Sequence, residues 1–436
     1  MAFNFFKKKE PVKESIQASI QAGPLGYWEE ESYMIAFPEE LPRDILTKVK
    51  DRLEMVPGAT LTGFRFDPET RDMTFTLSYE GEEYFGGIGI GEFPSVPQIL
   101  QMIPQEDRAR LQNTTHGLTV YMDFRKNPQL NPFQAYHLQL RTLLALVPDL
   151  IMIYDESAEK IVNGRWARMA ATSKYTPGPN DLFLVQAVEG KNGKLWLHTH
   201  GLCRFNLTEL EVIDADKEYG ESYYNVLTTL AGMMLEEGTA KKEGGFHIGM
   251  LADNRIPIFV TTVPWTEALS KYPGVSGGGL EDRKDGHNSR TNVVFVYKSP
   301  DDQKNNVPSM LSVFNDFWDE NPLFFFSKNE TNRLSMIARE RFDFVKKAFV
   351  KGCPVLLKIG LPVDDSEGDD REHIWFELKS LEENGFVATL TQEPYNVSGI
   401  HAGDERHLTV DDVTDWVIMS EELKARISPN NAYLLD

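Results

Sequence analysis

Met73, Phe75, Leu77 and Tyr79 alternate with Thr74, Thr76 and Ser78, so apolar and polar side chains leave opposite sides of one short stretch. A period of two belongs to an extended strand with one face in a core and the other in water. Sheets solvated on one face are built from antiparallel strands, because the crossovers of parallel sheets cover both faces. Short apolar runs at 33–37, 118–124, 150–154, 182–188, 195–203, 256–262 and 292–297 read as further strands, as do 355–359, 374–378, 385–390 and 407–410.

Between these runs the period lengthens to that of a helix. Ile45, Val49, Leu53 and Val56 recur at helical spacing until Pro57 and Gly58. Asn131 followed by Pro132 is a capping side chain with proline at the first helical position, and Tyr136, Leu140, Leu143, Leu144 and Val147 line the stripe it opens. Residues 158–169 read as the next helix. Tyr223, Val226, Leu227, Leu230 and Met234 form another stripe, with Ser222 as its N-cap and Gly238 as its stop. Leu334, Ile337, Ala338, Phe342, Val345, Ala348 and Phe349 describe one long amphipathic helix ended by Gly352. The fold class is therefore α+β, multi-domain, with mainly antiparallel sheets and flanking helices.

A chain of 436 residues exceeds what one core usually supports. Residues 1–27 carry no sustained periodicity and read as a mobile arm. Residues 28–175 form a first α+β lobe and 176–300 a second, or the two together form one domain. Residues 327–436 form a small helix and curved-sheet module. The tetrapeptide Thr-His-Gly-Leu at 115–118 returns at 199–202 without flanking similarity, so it marks no repeat.

The formal charge of -21 surrounds such a chain with a negative field that repels phosphate backbones and anionic lipid. It disfavours nucleic acid and membrane as partners and favours a basic protein, although plain solubility explains the same charge. Cys203 and Cys353 sit in no paired or zinc-ligand spacing, which excludes a disulfide framework. The lysines at 7–9 follow Phe3, Phe5 and Phe6 where a signal peptide would put them first, and no run of 18 apolar residues occurs. The expected compartment is the cytoplasm.

The last hundred residues resemble the YegJ-like domain, a small bacterial domain of unknown function, through Glu372, His373, Trp375, Pro394, Gly403, Asp404, Asp415 and Trp416. Where that pattern carries glycine and asparagine ahead of the proline, this chain has Ala388 and Gln392. Residues 30–300 resemble a second group of uncharacterised bacterial proteins through Trp196, His198, Thr199, His200, Gly201, Leu202, Glu209, Leu210 and Glu211. The same region resembles domains of immunity proteins of bacterial toxin systems and of relatives of the suppressor-of-fused fold. Charge and resemblance together point to a non-enzymatic bacterial protein-binding protein, with an immunity or antitoxin role as its most concrete form.

His198 and His200 lie two apart on an expected strand, so both imidazoles leave one face and suit one divalent metal such as zinc. A third ligand would come from Glu209, Glu211, His247, Asp282 or His287, and a metal-dependent hydrolase is the functional alternative. The competing expectation is that the pair bonds backbone or carboxylates and fixes the turn at Gly201. Gly274, Ser276 and Gly278 match a nucleophile pattern, with Asp282, Asp285 and His287 following, but no buried strand precedes the serine. That segment reads as a mobile surface loop. No nucleotide cradle or calcium loop is spelled out. Trp375, beside His373 and opposite Ile374, Phe376 and Leu378, is the expected aromatic anchor of a recognition surface, with Trp416 its companion, unless that sheet is packed on both sides.

Overall fold

The computed structural model describes residues 31–94, 103–124, 127, 130–251, 255–283, 290–320, 322–364 and 370–435. The expected arm at 1–27, Asp285 and His287 lie outside the described residues. The chain divides into two compact units, Met1–Ala171 with Pro177–Phe325, and Thr172–Thr176 with Phe326–Asp436. It is an α+β protein whose three sheets are mainly antiparallel.

The first sheet contains β1 (Ser32–Phe37), β2 (Ala59–Phe66), β3 (Met73–Tyr79), β4 (Glu82–Glu92), β5 (His116–Asp123), β6 (Met152–Asp155) and β7 (Lys160–Asn163). Their order is β2-β3-β4-β5-β1-β6-β7, every pair antiparallel. Met73, Phe75, Leu77 and Tyr79 are buried, as the alternation requires. The helices of this half are α1 (Val49–Leu53), α2 (Gln105–Leu111), α3 (Pro132–Leu146) and α4 (Gly164–Thr172). Asn131 caps α3 by accepting from the amides of Phe133 and Gln134, both at 3.1 Å. The stretch 45–56 is a 3-10 turn followed by the short α1, and the expected helix at 158–169 gives up its first turn to β7. Glu159 at φ +50° closes the β6-β7 hairpin, where Asp155 pairs with Lys160, so the chain must be extended before α4 can start.

The second sheet contains β8 (Leu184–Glu189), β9 (Lys194–His200), β10 (Glu209–Asp216), β11 (Phe246–Leu251), β12 (Ile256–Pro264), β13 (Thr291–Val296), β14 (Ser309–Met310) and β15 (Leu323–Phe324). The order is β15-β11-β12-β13-β10-β9-β8, with β14 on β13; the β10-β13 pair is parallel. Its helices are α5 (Gly220–Glu237), α6 (Trp265–Lys271) and α7 (Pro300–Lys304). Ser222 lies inside α5, because a 3-10 turn at Lys217–Tyr219 leads into the helix two residues earlier. Gly238 takes φ +65° and its amide reaches the Met234 carbonyl at 2.9 Å, which no residue with a Cβ does as cheaply. Leu140 and Val120 from the first half share one apolar cluster with Leu210, Val226 and Leu230 from the second. The other face of the second sheet carries a separate cluster of Trp196, Ile213, Trp265, Leu269 and Phe295.

The C-terminal unit holds the third sheet, β16 (Val355–Pro362), β17 (Arg371–Glu382), β18 (Gly385–Leu390), β19 (Glu405–Leu408), β20 (Val413–Ser420) and β21 (Ala425–Ile427), in the antiparallel order β19-β18-β17-β16-β20-β21. The expected single helix is two, α8 (Lys328–Glu340) and α9 (Phe342–Val350). They break at Arg341, whose buried guanidinium donates to the Pro429 carbonyl at 2.7 Å, a tertiary demand that outweighs local helix propensity. Glu340 accepts from Ser173 Oγ at 2.6 Å and from the Lys174 amide at 2.8 Å, which ties residues 172–176 to this unit. No helix among the described residues is long and apolar enough to cross a membrane.

Candidate functional site

Alternation along β9 puts Trp196, His198 and His200 on one face, and the register with β8 and β10 sets Gln186 and Glu211 on either side of His198. His198 is fully buried and His200 nearly so. The three rings form a column, with centroids 4.3 Å apart for Trp196 and His198 and 4.9 Å for His198 and His200. Both Nε2 atoms meet the same acceptor, Gln186 Oε1, at 3.1 Å each. The Glu159 carboxylate lies 3.8 Å from His200 Nδ1.

Glu211, fully buried, completes the row: it accepts from Trp196 Nε1 at 2.7 Å, Arg283 Nη2 at 2.5 Å and Thr291 Oγ1 at 2.9 Å. The Arg283 guanidinium sits between two indoles, 5.0 Å from the ring of Trp196 and 4.7 Å from that of Trp265. Glu209 accepts from the amides of Gly201 and Cys203 at 2.8 and 3.0 Å and from Thr199 Oγ1 at 2.6 Å, so its carboxylate fastens the turn that follows β9. Both glutamates thus have structural partners, and His247 stacks on Phe259 in β12. No three His, Cys, Asp or Glu side chains among the described residues are grouped to hold a metal ion.

A second buried charge pair lies near the His200 end. Arg204 donates to both oxygens of Asp155, at 2.7 and 3.0 Å, to Ser32 Oγ and to the Leu182 carbonyl, with its guanidinium 5.1 Å from the Tyr136 ring. Burial raises the Tyr136 phenol well above its ordinary range and pulls the Lys160 ammonium down to about 8. Burial also depresses the His137 imidazole, to about 4.

The nucleophile-like segment is held down by backbone bonds. Ser276 N donates to Asp214 Oδ1 at 2.8 Å, the Lys191 amide to the Ser276 carbonyl at 3.1 Å, and the Asp214 amide to the Gly277 carbonyl at 2.9 Å. Asp282 accepts from the Gly279 amide at 2.9 Å, a local cap with no triad geometry.

In the third sheet His373 and Trp375 share the outer face. His373 is exposed, with Nδ1 3.0 Å from Thr414 Oγ1; partial burial and the charges of Lys358 and Arg371 hold its imidazole below the usual range. Trp375 is half-buried with Lys358 Nζ 5.4 Å from its ring, and the half-buried Leu356 and Val417 continue the face. Trp416 points the other way. It is fully buried and donates its indole N–H to the Ala338 carbonyl at 2.9 Å, so it belongs to the core under α8 and offers nothing to a partner. An irregularity in the β16-β20 register lets Val413 and Trp416, three residues apart, both face inward. Periodicity did not single out Tyr395, 87% exposed at the tip of a clamped loop: Glu372 accepts from the amides of Tyr395 and Asn396, both at 2.7 Å, and Glu393 from that of Ala402 at 3.1 Å.

The loop-fastening Glu372 and Glu393, and the turn-fastening Glu209, lie in segments that match family models. Residues 335–425 match an uncharacterized protein domain conserved in bacteria (DUF2314). Residues 32–177 match the N-terminal and 185–295 the C-terminal domain of a protein of unknown function (DUF4026). No curated protein and no solved structure matches the chain. The first compact unit therefore carries the N- and C-terminal domains of the DUF4026 family, and the second a DUF2314 domain.

Proposed function

We propose that this chain is a non-enzymatic protein-binding protein whose outer C-terminal sheet face, centred on Trp375, receives a basic segment of another protein. The carrying observation is a half-buried tryptophan on the outer face of this sheet; the exposed Tyr395, on a loop fastened by Glu372, is a second aromatic of the same unit. Between residues 364 and 415 the sequence holds fifteen Asp and Glu against three Lys and Arg, a composition that favours a cationic partner. An acidic protein that neutralises a basic toxin, as immunity and antitoxin proteins do, is the most concrete form of this reading. The YegJ-like resemblance adds the expectation that the same face serves relatives of the C-terminal domain. Two free cysteines suit a reducing cytoplasm. A metal-dependent hydrolase centred on His198 and His200 has less support, since no three His, Cys, Asp or Glu side chains among the described residues are grouped to hold a metal ion.

The test is a low-salt capture with the full chain beside its Trp375→Ala and Tyr395→Ala variants, the captured protein being identified and its charge read. A basic protein held by the parent chain and lost from both variants supports the proposal. Empty capture, an acidic partner, or equal recovery by all three chains ends it.

A further inference from the structure

We infer that the basic residue received at the outer face of the third sheet is an arginine, whose guanidinium takes the place of the Lys358 ammonium against the Trp375 ring and reaches the Asp415 carboxylate. This rests on the reading of the face proposed above and names the chemistry that the face selects. Lys358 on β16 faces Trp375 on β17 and Asp415 on β20, so the three side chains stand in one row across neighbouring strands and leave the same side of the sheet. The ends of the row are about 10 Å apart, two strand spacings, and Lys358 fills the middle. Its ammonium turns to the indole, 5.4 Å from the ring centroid. The Thr414 hydroxyl donates to the Lys358 carbonyl at 3.1 Å and pins β16 to β20 beside the row.

Asp415 is the group that this arrangement serves least. Among the described residues its carboxylate accepts from one donor, the amide of Trp416 at 2.8 Å. Burial raises its carboxyl above the ordinary range, against the opposing pull of that amide and of the Lys358 charge. A half-buried carboxylate with most of its acceptor capacity unused gains more from a charged donor than an exposed one does. Lysine is a point charge, and here it serves the ring. A planar guanidinium stacks on an indole with its face and donates in its own plane, so it serves ring and carboxylate together. Room for it is the volume that Lys358 vacates when its unbranched stem swings the ammonium into solvent, and the half-buried Leu356 and Val417 of the next row receive the incoming methylenes. Lys358 is thus a resident occupant that the partner displaces.

The probes are tetra-arginine and tetra-lysine peptides, equal in charge, titrated by calorimetry into the full chain at about 0.1 M salt. Equal charge cancels the general attraction of an acidic chain, so the ratio of the two affinities reads the site. Tetra-arginine is expected to bind at least about fivefold more tightly. Asp415→Asn, which keeps an acceptor for the Trp416 amide, and Trp375→Leu should each remove most of that preference. Lys358→Met, which keeps the stem and removes the resident charge, should tighten tetra-arginine by about threefold or more. Equal affinities for the parent chain, a preference that persists in Asp415→Asn, or weaker binding of tetra-arginine by Lys358→Met overturns the assignment. In the capture described above, a basic protein lost from Trp375→Ala but held equally by the parent and Asp415→Asn ends the arginine assignment alone and leaves the recognition face standing.

Discussion

Arg204→Met takes a guanidinium out of a place closed to water. Arg204 and Asp155 are both fully buried, and the carboxylate receives two of its bonds from that guanidinium, at 2.7 and 3.0 Å; the Ala158 amide at 3.3 Å is the weaker donor beside them. A buried charge deprived of its partner costs about 3–5 kcal/mol, which covers the accompanying loss of bonds to Ser32 and the Leu182 carbonyl. Asp155 lies on β6 of the first sheet and Arg204 between β9 and β10 of the second, within one continuous apolar cluster. The loss should therefore reach both sheets. Hydrogen exchange on the full chain, read by mass spectrometry, should show the amides of β5 and of β10 losing protection together. The double replacement Asp155→Leu with Arg204→Met should recover most of the loss, because apolar side chains of similar size remove the stranded charge. Loss confined to one sheet, or a double variant as weak as the two singles combined, refutes the reasoning.

Trp416→Ala should cost about 3–5 kcal/mol in urea unfolding of the C-terminal unit, and Trp375→Ala under about 1 kcal/mol; equal costs would put both indoles in the core. Burial holds the folded His137 at about 4 against 6.5 in the unfolded chain, so the unfolded state binds the extra proton. Stability should be full above pH 6.5 and fall by about 3 kcal/mol towards pH 4, a slope that His137→Gln should flatten in acid-titration melts. Gly201→Ala forces a Cβ to 3.0 Å from the Leu182 carbonyl oxygen at φ +110°, and should cost about 1–3 kcal/mol in thermal melts.

Period-two alternation made β3 legible, and the paired imidazoles of β9 were legible for the same reason: both depend on neighbours in the sequence. Gln186 was not, because only the β8-β9 register brings it opposite His198. Arg283 meets Glu211 across 72 positions, and nothing in the charged stretch around it distinguishes it from its neighbours. The β7 segment was misread because Ile161 and Val162 continue an apolar pattern, while the turn at Glu159 is a backbone event without a glycine to announce it. Trp416 was named beside Trp375 with no strand read around it, and its burial follows from β20 pairing with β16 under α8, which composition does not announce. Local signals thus reached elements and single faces, and register-dependent partners stayed hidden.

Carboxylates serve two different purposes in the two units, and that separation makes the recognition proposal sharper than net charge alone. Asp155 and Glu211 are buried against guanidinium groups and contribute no field to solvent, whereas Glu382, Glu383 and Glu405 stand exposed on the hairpins of the third sheet. Screening limits exposed charge to about 10 Å at 0.1 M salt, so a partner feels the exposed carboxylates nearest to it and not the formal -21 of the whole chain. Charge steers encounter, and the desolvated aromatic anchor holds the complex once formed. With the captured partner, Glu382→Gln together with Glu383→Gln should slow association and flatten its salt dependence while leaving dissociation unchanged. Trp375→Ala should do the reverse, and stopped-flow rates that change together in both variants would mean the rim and the anchor are not separate parts of one surface.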